Sequence, residues 1–374
     1  MRRELERIEI PGEHEARERT WTVVSAAFVE RQPVERRTRR LRPALAIAVA
    51  LAVVAAALSP PGRAVIDEIR EAVGVERSQP ALFSLPTAGD LLVASDAGVW
   101  IVRGDGSRRL LGDYREATWS PFGRFVAATR QNELAALEPD GDVRWTLARR
   151  GVGSPRWTGT ETDTLVAYVD RTGIRVVAGD GTDDRLVVPG AKGPLAWRPG
   201  TRRELAYLTP GEVRVQDVDS GRVLWRTART GGRSPVQALE WSSDGRRLLV
   251  LQPFSLRVYE ERGRLAGQDD PSDATQDADA AFRPGTPEVA VIRLHGSQST
   301  VFRLASGSAL FNGTGAFDQV IWSPDGRWLL VTWPTADQWV FVRGDGRRIR
   351  AVSNVSEQFR SRSFPRIEGW CCAR

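Results

Sequence analysis

Histidine, cysteine, methionine and lysine are nearly missing from this chain of 374 residues, which holds two histidines, two cysteines, one methionine and a single lysine, Lys192. So little histidine and cysteine excludes a metal site of the usual ligand spacing. A serine or cysteine nucleophile would have to rely on His295, since His14 lies far upstream, and "RLHGSQST" (293–300) contains no nucleophile elbow. His295 reads as the end of a strand. No catalytic, cofactor-binding or metal-binding residue is therefore expected.

The missing lysine leaves arginine to carry the positive charge. The net charge of +6 is spread among acids along most of the chain. Nucleic-acid binding calls for a clustered basic face, so no nucleic-acid partner is expected. With its many Ala, Gly, Val and Asp residues, the composition looks like that of a GC-rich bacterial genome.

One stretch does separate its charges. "RQPVERRTRRLR" (31–42) carries six arginines against one glutamate, and the uncharged "PALAIAVALAVVAAAL" (43–58) follows at once. Sixteen residues of helix reach about 24 Å, and a snorkelling Arg42 extends them towards the thickness of a hydrocarbon core. The alternatives are a buried helix or a cleaved signal peptide. The expectation is an uncleaved single-pass transmembrane helix with a cytoplasmic N-terminus, because basic flanks stay inside. Residues 81–374 would then lie outside the cytoplasmic membrane, joined to the span by residues 59–80. Within that linker Val65, Ile66, Ile69 and Val73 share a helix face.

Residues 13–33 read as a helix ended by Pro33. Trp21, Val24 and Phe28 form an apolar stripe along it, making them candidate partner-binding residues in a cytoplasmic segment, 1–42. The stripe would pack on the membrane surface, on another copy or on a partner protein.

From residue 81 the chain repeats. "WSPFGR" (119), "WTGTET" (157), "WRPGTR" (197), "WSSDGR" (241), "FRPGTP" (282) and "WSPDGR" (322) start 38, 40, 44, 41 and 40 residues apart. Each leads into a strand-forming run and then a second hairpin. A period near 40 with strands and Gly/Pro turns marks propeller blades. Seven copies of the second hairpin accompany only six of the first, and Phe83 is a poor seventh start. Residues 365–372, "PRIEGWCC", have strand character and Trp370, so they would supply the innermost strand of blade one and close the ring. The fold class is therefore all-β, a seven-bladed β-propeller, with six blades and an extra strand as the alternative.

The blade motif consists of Trp119, Trp157, Trp197, Trp241, Phe282, Trp322 and Trp370, together with Asp244, Gly245, Asp325 and Gly326. Ser323-Pro324-Asp325-Gly326 suits a type I turn. Aspartate at its third position is replaced by Phe122 in an equivalent copy, so these charges serve the turn rather than a reaction. The tryptophans would pack between neighbouring sheets.

These turns resemble the TolB-like group of WD-type propeller repeats, which implies the propeller fold and, because propellers host many functions, no single function. "VQDVDSGRVLWRT" (215–227) and "LEPDGDVRWTL" (137–147) resemble quinoprotein-type propeller repeats, a resemblance that implies Trp225 and Trp145 dock neighbouring blades. The whole arrangement resembles membrane-tethered propellers whose cytoplasmic segment holds a sigma factor. That resemblance implies a sigma-factor partner for residues 1–42.

Two smaller features complete the reading. "QDDPSDATQDADAA" (268–281) reads as a long acidic connection between blades five and six, either solvated or holding calcium. Cys371 and Cys372 have Cα atoms ~3.8 Å apart and point to opposite faces if in a strand. One buried and one surface thiol are expected, with a vicinal or intermolecular disulfide as the alternative. Taken together, the expected function is a membrane-anchored binding scaffold or sensor for protein, peptide or envelope ligands, acting without catalysis or cofactor. An anti-sigma-type regulator and an envelope enzyme are the alternatives.

Overall fold

The computed structural model describes residues 84–200, 203–227 and 234–372. They form seven four-stranded antiparallel sheets, and successive inner strands touch one another around a ring. Blade one is built from Asp90–Ser95, Gly98–Val102 and Arg108–Gly112, and its inner strand is Arg366–Cys371, from the far end of the chain. Asp90 pairs with Cys371 and Leu91 with Trp370 in antiparallel register. The remaining six blades follow in order, each made of four consecutive strands.

The core is divided into seven slabs, one between each pair of neighbouring sheets. The slab between blades one and two joins Leu92, Ile101 and Tyr114 to Trp119, Val126 and Leu137. The slab between blades seven and one joins Trp328, Leu330 and Phe341 to Leu91, Val93 and Trp370. Alternate residues of one strand thus serve two different slabs, which is why middle strands such as "RLLVLQ" (247–252) are apolar along their length instead of alternating. The blade tryptophans sit in these slabs. Trp322, for example, packs with Ala281, Ile292 and Val301 of the preceding blade.

In three of the six motif copies the opening turn is held by a serine, in two of them together with an aspartate. Ser120, Ser242 and Ser323 are buried, and each Oγ accepts the backbone N–H across its hairpin, from Phe125, Arg247 and Trp328, at 2.9 Å in every case. Ser242 and Ser323 also donate to Asp244 and Asp325 at 2.6 Å. Gly245 and Gly326 adopt φ of +66° and +63°. An added Cβ there would meet the carbonyl oxygens of Pro199 and Pro284, in the turns of the preceding blades, at 3.1 and 3.2 Å.

The structure corrects two expectations. The acidic segment 268–281 is no long connection, because Asp269 ends the outer strand of blade five and Thr275–Phe282 is the inner strand of blade six. Its aspartates are spread over three partners: Asp270 pairs with Arg257 at 2.6 Å, Asp269 and Asp277 share Arg293, the latter at 2.8 Å, and Asp279 accepts the Val320 amide at 2.9 Å. Among the described residues they form no cluster placed to hold a metal ion. Cys371 and Cys372 do not point apart either, because Cys372 leaves the strand with φ of +65° and turns its sulfur to that of Cys371, to which it is bonded. Both are half-buried beside the Gly123 turn.

Trp21, Val24 and Phe28, the span 43–58 and the linker helix lie outside the described residues. Among the described residues no helix is long and apolar enough to cross a membrane.

Candidate functional site

Two places on the ring hold side chains in excess of what the blades need, the wall of the central channel and a cleft between blades two and three.

The channel wall is made of inner strands, and side chains from one inner strand cap the backbone of the next. Glu116 accepts the Ser154 N–H. Glu240 Oε1 accepts the Phe282 N–H at 3.2 Å, and Asp279 Oδ2 accepts the Val320 N–H at 2.9 Å. The Gln319 amide uses both its ends on Ile367, accepting its N–H at 2.8 Å and donating to its carbonyl at 3.2 Å. These contacts join blades two to three, five to six, six to seven and seven to one, so the ring closure carries the same link as the other junctions.

The charges divide the wall into two arcs. Blades five to seven contribute Glu240, Asp279 and Asp318, all acidic, while blades one to three contribute Arg366, Glu368, Glu116 and Arg156. Burial and then the Asp279 charge push Glu240 up to about 8, and burial with Asp318 behind it pushes Asp279 up to about 7. Burial also raises Asp318 and Glu368, the latter against the pull of Arg366 bonded to it, and it lowers Arg156. Glu240 thus holds its proton at neutral pH, and Asp279 titrates close to it. Among the described residues no group of three His, Cys, Asp or Glu side chains is placed to hold a metal ion.

The cleft encloses about 470 Å³. Phe125 stacks on Trp157 with ring centroids 6.2 Å apart, and the Arg144 guanidinium lies 5.9 Å above the Phe125 ring. Trp145, from the outer strand of blade two, donates its Nε1 proton to the Gly179 carbonyl of blade three at 2.8 Å. Arg124 and Glu161 face each other across the mouth at 3.4 Å. At the mouth stands Phe122, 46% exposed, in the turn position that Asp244 and Asp325 occupy in sister blades. The expected structural residues are thus placed in slabs and turns; the cleft brings Trp157 and Trp145, both expected to be structural, together with Phe122, Phe125, Arg124 and Arg144, whose convergence the sequence did not show. Its only signal was that Phe122 breaks the repeat.

No family model matches this chain, and no curated protein matches it. Solved structures do. The C-terminal WD40 domain of Sif2 superposes with a TM-score of 0.52 at 14% identity, over 70% of this chain and 80% of that one. Hsv2 of Kluyveromyces lactis gives 0.52 at 14% identity, over 71% of this chain and 94% of that one. A version of Hsv2 with loop 6CD replaced by a Gly-Ser linker gives 0.54. The fold is a WD40-type seven-bladed propeller. The likeness rests on the path of the backbone, and the cleft and channel of this WD40-type propeller are described by their own residues.

Proposed function

We propose that this chain is a membrane-anchored, extracytoplasmic WD40-type propeller of the TolB-like kind, acting as a non-catalytic scaffold or sensor that binds protein, peptide or envelope ligands. One observation carries the reading: an aromatic cleft between blades two and three with Phe122 exposed at its mouth, where the turn itself has no need of a phenyl ring. Exposed aromatic side chains beside arginine are what binding surfaces are enriched in. The anchor is supported by the arginine-rich flank and the uncharged run 43–58.

The test compares Phe122→Asp, which restores the residue of the sister turns, with Phe254→Asp, which removes an equally exposed ring from the opposite end of the sheets. Full-length protein extracted from the envelope is cross-linked in place and its bound molecules are identified. The proposal expects at least one bound species to be lost from Phe122→Asp and kept by Phe254→Asp. Identical sets from both variants count against it.

A second reading, control of a sigma factor by residues 1–42, is favoured by the stripe of Trp21, Val24 and Phe28. A peptide of residues 1–42 that retains lipid but no transcription factor would sink it.

A further inference from the structure

The first and third connections of every blade lie at one end of the sheets, the end that bears the Ser-Pro-Asp-Gly turns; in blade seven the Gly344 N–H donates to the Arg327 carbonyl at 2.8 Å, tying the two connections together. Among the described residues, six of the eight exposed large apolar side chains sit on this turn face or at its rim. Phe122 is in a turn itself. Val143, Leu186, Val223, Leu265 and Ile349 each stand first or second in the outer strand of a different blade, immediately after the turn. They therefore ring the propeller at one height. Phe254 is the exception that lies at the opposite end, and Leu110 is midway along its strand.

The exposed charge on this face is also uneven. The adjacent turns of blades seven and one carry Arg327, Arg343, Arg347, Arg348 and Arg103 against Asp325, Asp345 and Asp105, whereas those of blade two carry Arg124 and Arg144 against Glu138, Asp140 and Asp142. Arg327 and Arg343 have an aspartate 3.8 and 3.7 Å away, whereas Arg103, Arg347 and Arg348 form no ion pair among the described residues. The described chain begins in this same sector. The Leu85 N–H donates to the Gly104 carbonyl at 2.8 Å, and the Thr87 hydroxyl donates to Asp325 at 2.6 Å. Upstream of that point lie 83 residues that include the uncharged run 43–58.

An apolar ring at one height, an arginine sector beside it, and a hydrophobic run on the chain leaving that sector have one common complement. We infer that the turn face docks on the surface of an anionic lipid bilayer, the arginines meeting headgroup phosphates and Phe122 and its neighbours entering the interface. This rests on the binding role proposed above and names the ligand of the same face. Basic side chains near an anionic surface each strengthen attachment roughly fivefold, and apolar side chains at the interface add to it.

The experiment uses the full chain reconstituted into bilayers of phosphatidylcholine alone or with phosphatidylglycerol, read by hydrogen exchange. Backbone amides of 103–109, 121–125 and 343–350 should be protected at least tenfold more in the phosphatidylglycerol bilayer, while turns 95–98, 253–255 and 295–298 at the other end stay unchanged. Arg343→Gln, Arg347→Gln and Arg348→Gln together should erase the difference, with the slab residues exchanging as in the parent to show that the fold is intact. Equal exchange in both bilayers, protection of the opposite end, or equal protection by soluble inorganic phosphate would each overturn the inference. Resistance of the protein to alkaline extraction reports the anchor separately. A chain that washes off but is protected by added phosphatidylglycerol vesicles loses the anchor and keeps the docking face. If Phe122→Asp loses a protein ligand while neither bilayer protects the turns, the binding role stands and the lipid inference falls.

Discussion

In the three motif turns that carry a serine, a single hydroxyl does more than the charge beside it. Ser323 is fully buried, accepts the Trp328 amide and donates to Asp325, whereas Asp325 is exposed and its place is taken by Phe122 in blade two. Replacing Ser323 by alanine strands a buried N–H, and the expected loss is about 2 kcal/mol in urea denaturation. Asp325→Ala should cost about half as much. The opposite ranking would show that the aspartate is the main clasp. The motif drew attention to Asp325 because it is charged. The serine was in plain view in three copies, but the sequence does not reveal that its oxygen reaches across the hairpin.

Glu240 and Asp279 make a second statement at this scale, through pH. Each holds its proton in the folded ring at a pH where an unfolded chain has released it, since their folded values are raised to about 8 and about 7. Their contribution is therefore complete below the ordinary carboxylate range near pH 4 and is lost as pH rises through about 7 to 8. Stability against thermal unfolding should fall between pH 5 and pH 9. In Glu240→Gln, which keeps an oxygen for the Phe282 amide, the slope should flatten by about 2 kcal/mol, a figure discounted for the solvent that reaches the channel. A parent and variant with parallel pH profiles would remove Glu240 as the cause.

Among the elements, the outer strands of blades two and four carry the side chains that lock neighbours together. Trp145 bonds Gly179 and packs against Gly181, while Trp225 meets the edge of Trp241 at 6.2 Å and lies against Gly263. Gly181 and Gly263 have φ of +87° and +75°, and a Cβ on either would come within 2.9 to 3.0 Å of its tryptophan's blade. Trp145→Ala should destabilise the propeller by about 3 kcal/mol, read as a lower urea midpoint, and should also widen the cleft it lines. Both docking tryptophans could be named beforehand, because 137–147 and 215–227 resemble quinoprotein-type repeats, in each of which a tryptophan follows an Asp-Gly or Ser-Gly turn. The inner strand Thr275–Phe282 could not, because its aspartates suggest a solvated loop until Arg293 and the Val320 amide are seen to neutralise them.

For the whole molecule, the number of blades followed from an imbalance that the sequence shows openly: seven second hairpins, six first strands, and an unpaired "PRIEGWCC" at the far end. The division of the core into seven slabs was foreshadowed by the apolar middle strands. The cleft and the polarised face were hidden, since the cleft joins side chains of two consecutive blades and the face gathers side chains hundreds of residues apart to one end of the sheets. Ending the chain after residue 364 would uncover the edge of Asp90–Ser95 and take Trp370 and Ile367 out of the slab between blades seven and one. The truncated protein should elute from size exclusion as oligomers or aggregates rather than as a monomer, because an open sheet edge pairs with whatever strand it meets. A stable truncated monomer would mean that closure is dispensable.

The pairing of Asp90 with Cys371 also sets a timetable. Blade one is among the first parts of the propeller to leave the ribosome, yet it waits for the last few residues before it has a fourth strand. Blades two to seven can assemble in order as they emerge, whereas blade one keeps an open edge until its inner strand is made. The final step of folding is thus a long-range closure, slow by its nature and exposed to mispairing until it is done.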